Sequence, residues 1–369
     1  MIRSWATDAD DTTEQPHWGR VGRQRIQDTG PLNRKRMETI DDETSRAAVD
    51  FMQRQAKAGT PFFLWFNSTR MHLFTHIRAA YQGQSGMPGN AYADGMIEHD
   101  GHVGLLLRTL DDLGIANDTI VVYSTDNGPN MFSWPDAAMT PFRSEKDTNW
   151  EGAFRVPGMV RWPGKIKAGE VSTQMFSGLD WFPTLLAAAG DTGIKERLLK
   201  GWSPRAGGTE FKVHLDGYNQ LPFLTGQQPR SARSEFHYFN DDGEYVAMRY
   251  DDWKVVFCEQ RARGNLNIWQ EPFTCLRVPK LFNLRMDPYE RADITSDQYN
   301  DWLVKNVYLV QRGVMKGSAF LETFVAYPPS QEPASFSIDQ VRRSVDQRIA
   351  AMKQRMQTQG GGAGSRALQ

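Results

Sequence analysis

The sequence predicts an α/β protein in which a mixed, largely parallel sheet is flanked by helices and followed by a small C-terminal antiparallel sheet and a helix. The first part rests on two observations. Residues 61–66 and 120–123 are unbroken apolar runs of strand length, and a helical spacing of apolar residues lies between them. The second part rests on short β-rich runs after residue 232 that alternate with turn signals such as NDDG.

The composition excludes several classes of protein. Of the 369 residues, 40% are hydrophobic and 24% are charged, which is ordinary for a globular chain and excludes disordered and fibrous classes. A net charge of -1 gives no electrostatic basis for binding nucleic acid or an anionic membrane, so we expect neither partner. The start is polar and acidic, unlike a signal peptide, and no apolar run approaches a membrane span. As written, the chain is expected in the cytoplasm; its oligomeric state is open.

The predicted elements of the first half begin after a long irregular stretch. Residues 1–41 show little periodicity and are predicted to be an extended surface segment. A helix capped by Thr44 is predicted to run through Ala56 and to end at Gly59, followed by a fully buried strand at residues 61–66. A second helix of about twenty residues stops at Gly114. With the strand at residues 120–123, this order predicts a parallel crossover.

The second half changes from this pattern to short strands. A strand at residues 158–162 and a helix at 180–189, with Asp180 as cap and Gly190 as stop, come first. Strands at 236–239, 245–250, 253–257 and 281–284 then predict an antiparallel sheet. Apolar residues between 338 and 356 recur at helical spacing before a glycine-rich end. We therefore expect three parts: 1–232 as the α/β domain, 233–330 as the antiparallel-sheet subdomain, and 331–369 as an amphipathic helix and disordered tail.

Polar residues follow both predicted buried strands. Asp126 and Asn127 come directly after the strand at 120–123, and His72 follows the strand at 61–66. Ligands bind beyond the carboxyl ends of strands in open parallel sheets, and Asp and Asn supply the hard oxygens that a divalent cation prefers. A lone histidine or a lone loop lysine such as Lys146 is more often structural or solvated. These residues therefore carry a functional interpretation only as a group.

A histidine pair and a cysteine pair are weaker candidates, the first for a metal site and the second for a disulfide. His99 and His102 stand three apart on the second predicted helix, where a metal pair is conceivable. Without a third ligand, we interpret them as helix surface. Cys258 and Cys275 are 17 residues apart with no CxxC spacing, so two unpaired thiols are favoured, while a single bridge between them stays open.

Four segments carry a resemblance to a known family. STDNGPN followed by FRSEKDTNWEGAFRVPGMVRWPG resembles the sulfatase family of the alkaline phosphatase superfamily, and its arylsulfatases in particular. PFFLWFNSTRMHLFTH, DGMIEHDGHVGLLLRTLDDLGI and LDWFPTLLAAAG are similar to that family too, so the likeness runs in order from about residue 40 to 190. The resemblance implies an alkaline phosphatase-like fold that lacks the N-terminal part of the catalytic domain. Residues 1–232 would then be a truncated sulfatase-like catalytic domain.

The resemblance also implies roles for four residues. Asp126 and Asn127 match the residues that hold a divalent cation, usually calcium, in sulfatases. Lys146 matches the lysine that contacts the sulfate oxygens, and His72 the histidine that assists the departing alcohol. Arg70 stands where many relatives have another histidine.

One family motif is absent from the sequence. Sulfatases carry a Cys or Ser in a CxPxR or SxPxR motif that becomes the formylglycine nucleophile, but Cys258 is followed by EQRA and Cys275 by LRVP. Calcium takes about six to eight oxygens, so Asp126 and Asn127 supply only part of a site. The resemblance therefore implies a fragment that starts within the catalytic domain and is inactive alone. Complete relatives are often periplasmic or secreted.

The leading functional prediction is a sulfuric ester hydrolase of the arylsulfatase type, acting on a small-molecule or carbohydrate sulfate ester. Two alternatives stay open at this point. One is a phosphate or phosphonate ester hydrolase of the same superfamily, since its members share a metal scaffold. The other is a non-catalytic protein that binds an anion or a partner without turnover.

Overall fold

The computed structural model describes residues 1–16, 19–137, 139–264 and 266–329, together with positions 345 and 349. It divides into two compact units, Met1–Thr140 with Val156–Glu170, and Pro141–Arg155 with Val171–Gln369. Apart from those two positions, the predicted terminal helix and tail at 331–369 lie outside the described residues. Among the residues described, none of the helices has the length and apolar character that a membrane span requires.

The helices and strands of the first unit are β1 (Ile2–Gln15), β2 (Gly19–Asp28), α1 (Arg34–Met37), α2 (Ile40–Ala58), α3 (Ala91–Asp112), β3 (Val121–Ser124) and β4 (Gly158–Arg161). Those of the second unit are α4 (Glu151–Phe154), α5 (Trp181–Ala188), α6 (Ile194–Lys200), α7 (Leu221–Leu224), β5 (Glu235–Phe239), β6 (Tyr245–Tyr250), β7 (Trp253–Glu259), α8 (Asn267–Gln270), β8 (Thr274–Asn283), α9 (Ala292–Thr295), α10 (Tyr299–Lys305) and α11 (Val307–Ala326). Short 3₁₀ turns cover Ala79–Tyr81, Ala116–Asp118, Met131–Ser133 and Gly178–Asp180.

Strands β1 and β2 pair antiparallel, so the prediction that this segment lacks secondary structure was wrong, although most of its residues are at the surface as expected. Arg20 in β2 pairs with Asp10 in β1 at 2.6 Å, and the guanidinium of Arg25 lies 4.3 Å from the ring centre of Trp5. A two-stranded ribbon that is mostly exposed on both faces needs no alternation of apolar and polar residues. The pattern that normally signals a strand is therefore missing from its sequence.

The two long helices of the first unit were predicted more accurately than its strands. Helix α2 ends at Gly59 in a left-handed conformation (φ 63°), as predicted, but it begins at Ile40 and not at Thr44. Its first turn holds the acidic residues Asp41, Asp42 and Glu43, which suit the positive end of a helix but look like a solvated segment in the sequence. Helix α3 has the predicted length and is followed by Gly114 with φ 69°.

The predicted strand at residues 61–66 is not formed. The segment is extended but has no ladder partner among the described residues, and Phe63 and Trp65 are 69% and 78% exposed. Strand β3 does form, but it pairs antiparallel with β4 and its side chains alternate between half-buried and exposed. The predictions of burial on both faces and of a parallel crossover were therefore wrong. An apolar run fixes neither the pairing partner nor the layer that covers it.

The predicted C-terminal antiparallel sheet is confirmed and has the strand order β5-β6-β7-β8. Its centre is fully buried at Val246, Val255 and Leu281. Helix α11, which the sequence patterns did not reveal, packs on β6, β7 and β8. Gly313 permits this approach, because a Cβ there would lie 2.6 Å from the Cγ2 of Val255.

Cys258 and Cys275 form a disulfide, so the favoured prediction of two unpaired thiols was wrong. They are directly opposite each other in the antiparallel register of β7 and β8, with their Cα atoms 3.9 Å apart. Sequence spacing alone could not predict this, because the pairing depends on the register of two strands separated by a long connection.

Helix α5 confirms the predicted helix near residues 180–189, with Gly190 after it at φ 96°. Asp180 stands at its N-cap position but makes no capping bond to it. Its carboxylate instead accepts hydrogen bonds from Arg233, at 2.6 Å to Nη2, and from the backbone N–H of Ser177. Asp180 is therefore a buried structural ion-pair residue.

Candidate active site

Asp126 and Asn127 leave the end of β3 in a tight turn, as predicted. One carboxylate oxygen of Asp126 accepts hydrogen bonds from the backbone N–H of Asn127 (3.0 Å) and from the hydroxyl of Thr125 (3.2 Å). The side-chain amide of Asn127 donates to the carbonyl of Gly128 at 2.7 Å, which leaves its amide oxygen as an acceptor. The Asp126 side chain is exposed and the Asn127 side chain is half-buried.

The donor set of this turn fits part of a cation site. A carboxylate and an amide oxygen on adjacent residues are the ligand types that calcium takes, yet calcium requires about six to eight of them. Within the described stretches, no group of three or more His, Cys, Asp and Glu side chains could hold a metal ion. The turn therefore offers two oxygen donors and not a complete coordination shell.

His72 lies on an exposed turn. Its backbone N–H donates to the carbonyl of Thr69 at 3.1 Å, and its own carbonyl accepts from the hydroxyl of Thr75 at 2.7 Å. The ring Nδ1 is 3.2 Å from the carbonyl of Leu73. If Nδ1 donates to that carbonyl, Nε2 is the unprotonated nitrogen of a neutral ring and acts as a hydrogen-bond acceptor.

Arg70, two residues before His72, is part of the core. Its side chain is fully buried, with Nη1 3.2 Å from Asp41 of α2 and Nη2 3.0 Å from Glu98 of α3. Asp41 also accepts hydrogen bonds from the backbone N–H and the hydroxyl of Thr69, at 2.9 and 3.0 Å. Arg70 thus fixes the path of the chain into the His72 turn from the inside.

His99 and His102 are not helix surface, contrary to the sequence interpretation. His102 is buried, and its Nε2 lies 2.8 Å from Asp42 of α2. His99 is half-buried, and burial lowers the pKa of its imidazole. Both side chains have partners outside α3, because polar residues at helical spacing can face a neighbouring segment as readily as solvent.

Lys146 belongs to the second unit and lies in a turn with strained backbone on both sides. Ser144 and Asp147 both adopt positive φ angles, 63° and 68°. Lys146 is half-buried, with Nζ 5.9 Å from the ring centre of Trp269. Burial raises the pKa of the Asp147 carboxyl, which the charge of Lys146 partly offsets. One carboxyl oxygen of Asp147 has no hydrogen-bond partner among the described residues.

Ion pairs hold the Lys146 turn at both ends, half-buried on the N-terminal side and buried on the C-terminal side. On its N-terminal side, the guanidinium of Arg143 donates to Asp293 at 2.9 Å and to the carbonyl of Glu290 at 2.8 Å. On its C-terminal side, Glu151 lies 3.2 Å from Lys254, and its backbone N–H donates to Glu290 at 2.6 Å. The turn is therefore anchored to the C-terminal sheet.

The ion pairs on the C-terminal side of the Lys146 turn consist of two carboxylates, Glu151 and Glu290, and the ammonium group of Lys254, all of them buried. Lys254 is fully buried, 2.7 Å from Glu290, and also donates to the carbonyl of Asn149 at 2.7 Å. Burial raises the pKa of Glu290 to about 7, against the attraction of Lys254. The pKa of Glu151 lies below its ordinary value, because Lys254 and Arg249 outweigh the effect of its burial.

The predicted site residues are thus divided between the two units. Asp126, Asn127 and His72 belong to the first unit, and Lys146 belongs to the second. Sequence reasoning missed the residues that hold these turns, namely Asp41, Glu98, Glu151, Lys254 and Glu290. Their only sequence signal is charge, which normally indicates a solvated face.

Residues 6–191 match the family model for sulfatases, and the chain belongs to the sulfatase family. It is 33% identical to N-acetylgalactosamine-6-sulfatase of Mus musculus over 315 residues, which cover 80% of this chain and 56% of that protein. It is 30% identical to steryl-sulfatase of Mus musculus, over 74% of this chain and 43% of that protein. The chain thus spans just over half the length of the first of these relatives.

Solved structures agree with the family assignment. The crystal structure of PsFucS1 sulfatase from Pseudoalteromonas sp. is similar with a TM-score of 0.69 and 28% identity, over 84% of this chain and 57% of that one. A second similar structure, Ps i-CgsB in complex with k-i-k-neocarrahexaose, has a TM-score of 0.60 at 23% identity. The predicted alkaline phosphatase-like α/β fold class is confirmed by these neighbours.

Proposed function

We propose that this chain is part of a sulfuric ester hydrolase of the arylsulfatase type. The observation that carries the proposal is the Asp126-Asn127 turn at the end of β3, in a chain that belongs to the sulfatase family and also holds His72 and Lys146 at positions similar to that family. The match covers 56% of the N-acetylgalactosamine-6-sulfatase of Mus musculus. Hydrolysis of a sulfate ester is therefore proposed for the protein of which this chain is part.

Each of the four residues has a separate task in this proposal. Asp126 and Asn127 supply oxygen ligands to a divalent cation, calcium by donor type, which when bound balances the charge of the sulfate group. Lys146 contacts sulfate oxygens and stabilises the negative charge that they carry in the transition state. His72 donates a proton or a hydrogen bond to the oxygen of the departing alcohol.

The nucleophile is not among these 369 residues, because the sequence contains no Cys-x-Pro-x-Arg or Ser-x-Pro-x-Arg motif from which formylglycine could form. The isolated chain is therefore proposed to bind an anion and a cation without turnover.

The proposed substrate is a carbohydrate sulfate ester. The N-acetylgalactosamine-6-sulfatase of Mus musculus matches 80% of this chain, against 74% for the steryl-sulfatase. We expect this protein to bind N-acetylgalactosamine 6-sulfate more tightly than a steroid sulfate, which binding measurements on the same protein sample test. Tighter binding of the steroid sulfate would contradict the proposed substrate class.

We also propose an oxidising compartment for this protein. The Cys258–Cys275 disulfide supports it, because cytosolic thiols are kept reduced. Thiol alkylation followed by mass spectrometry, on protein from its natural source, tests the proposal. Two alkylated cysteines without prior reduction would contradict it.

Calorimetry with calcium and with sulfate tests the binding function. We expect Asp126→Ala to weaken calcium binding, and Lys146→Ala to weaken sulfate binding at least tenfold. The matched controls are the exposed residues Asp118 and Lys305, whose alanine variants should bind as the wild type does. Phosphate bound much more tightly than sulfate would favour a phosphate ester hydrolase instead. No binding of either ion by a well-folded chain would reject the proposal.

A further inference from the structure

His99 contacts two segments that lead into the proposed site. Its ring Nε2 lies 3.1 Å from the hydroxyl of Tyr123, and its Nδ1 lies 3.1 Å from the hydroxyl of Ser68. Tyr123 is in β3, just before the turn that holds Asp126. Ser68 is in the segment that enters the His72 turn. All of these residues belong to the first unit.

The chemistry of the three side chains suits a continuous hydrogen-bond chain. A neutral imidazole has one donor and one acceptor nitrogen, and a hydroxyl group can both donate and accept. Either tautomer of His99 therefore satisfies both contacts, with the hydroxyl groups turned to suit. Burial lowers the pKa of His99, which keeps the ring neutral near pH 7. The rings of His99 and Tyr123 are also in contact, with centroids 5.9 Å apart.

The segment at the Ser68 end depends on such contacts. Residues 67–72 are neither helix nor strand, so no ladder fixes their path. Asp41 and Glu98 hold Thr69 and Arg70 from the core side. His99 connects this segment to β3 through a single side chain, by its contacts with Ser68 and Tyr123.

We infer that His99 is a positioning residue that couples the Asp126-Asn127 turn to the His72 turn through Tyr123 and Ser68. The catalytic meaning of this coupling rests on the proposed function. His99 acts through Tyr123 and Ser68 and does not itself contact substrate or cation. A shift of β3 on ligand binding would change the Tyr123 contact and so the position of the His72 segment.

Hydrogen exchange with mass spectrometry on the 369-residue chain tests the coupling. Tyr123→Phe removes one hydroxyl group and leaves the ring. If the chain of hydrogen bonds holds the segment, amides of residues 67–72 should exchange about fivefold faster, as expected for the loss of a hydrogen bond of ordinary strength. His99→Phe should do the same. Tyr123→Phe should cause no further acceleration in the His99→Phe background, because the row of hydrogen bonds from Tyr123 to Ser68 is already broken there.

Ser124→Ala is the matched control. Ser124 is the next residue of β3, and its hydroxyl donates to the carbonyl of Pro157 at 3.0 Å, with no contact to His99. We expect this variant to leave exchange at residues 67–72 unchanged. Equal acceleration by Ser124→Ala and Tyr123→Phe would mean general loosening of β3 and would overturn the inference. No acceleration by Tyr123→Phe would also overturn it.

Two further variants keep the test decisive if His99→Phe does not fold. Ser68→Ala removes the hydrogen bond between Ser68 and His99 and should speed amide exchange in β3. His99→Gln retains one donor and one acceptor and should restore part of the protection. The exchange measurement needs neither a bound ion nor turnover. Coupling without calcium or sulfate binding would therefore reject the proposed function alone, and binding without coupling would reject the role of His99 alone.

Discussion

At the scale of single residues, the main feature is that charged side chains have buried partners far away in sequence. Arg70 and Glu98 are 28 residues apart, and Lys254 and Glu151 are 103 apart. Isolated buried charges would be strongly unfavourable, so each of these residues requires its partner. The sequence shows the charges but not the pairings, because a charged position in a helix or loop is normally solvated.

Glu290 should make the stability of the chain depend on pH. Its pKa in the folded state is raised from an ordinary value of 4.5 to about 7, so the folded state binds its proton more tightly than the unfolded state. Its stabilising contribution is complete below about pH 4.5 and is lost as the pH rises through about 7. This difference between the two pKa values corresponds to roughly 3 kcal/mol in the free energy of unfolding. Glu151, whose pKa is lowered, acts only at more acidic pH.

Glu290→Gln removes this titration with little change of shape. We expect the free energy of unfolding of the wild type to fall relative to that of the variant between pH 5 and pH 8, as measured in urea. The exposed Glu271 supplies the control, since Glu271→Gln should follow the wild type at every pH. A constant difference between wild type and Glu290→Gln would show that Glu290 does not titrate in this range.

At the scale of secondary-structure elements, the long helices of the first unit were predicted better than its strands, while in the second unit the four-stranded sheet was predicted and helix α11 was missed. The spacing of apolar residues gave α3 and α5 nearly whole, because a helix satisfies its backbone hydrogen bonds locally. A strand requires a partner. The hairpin β1–β2 was missed and the run at 61–66 was wrongly predicted as a strand for that reason.

Gly313 should be intolerant of a side chain where α11 meets β7. An added Cβ would lie 2.6 Å from Cγ2 of the fully buried Val255, so Gly313→Ala should destabilise the chain by about 1–3 kcal/mol. In a Val255→Ala background the 2.6 Å contact is removed and only the Cβ of residue 255 remains close, at 3.2 Å, so the same change should cost much less, with helix propensity offsetting part of the loss. Denaturant unfolding measures both. The same loss in both backgrounds would contradict a steric cause, and the exposed Ser318→Ala serves as control.

The disulfide between β7 and β8 should stabilise the C-terminal sheet. It closes a loop with a sequence separation of 17, for which loop entropy predicts about 3 kcal/mol. We expect the Cys258→Ala, Cys275→Ala double variant to have a free energy of unfolding lower by about 3 kcal/mol, measured by denaturant unfolding. Reduction of the wild type should have the same effect. Reducing agent should not change the double variant, and an effect there would point to another cause.

At the scale of the whole molecule, the chain belongs to the sulfatase family but spans just over half the length of its N-acetylgalactosamine-6-sulfatase relatives. Its fold holds Asp126, Asn127, His72 and Lys146 in turns, while its sequence lacks the nucleophile motif. Binding and turnover are therefore separate questions for this protein.

We expect the purified 369-residue chain not to hydrolyse an aryl sulfate, because none of its Cys or Ser residues stands in a CxPxR or SxPxR motif. The release of a chromogenic phenol from its sulfate ester measures this. Turnover that is lost in Lys146→Ala or His72→Ala, but kept in Lys305→Ala, would contradict the prediction. It would require a different nucleophile within the chain.

The sequence by itself determined the family, the α/β class, the C-terminal antiparallel sheet and the identity of the candidate residues Asp126, Asn127, Lys146 and His72. These follow from local spacing and from motifs that are continuous in the chain. Only the tertiary structure decided that Arg70 is a core residue, that Cys258 bonds to Cys275 and that His99 contacts Ser68 and Tyr123. Each of these depends on segments brought together by folding, and local sequence patterns carry no information about such distant contacts.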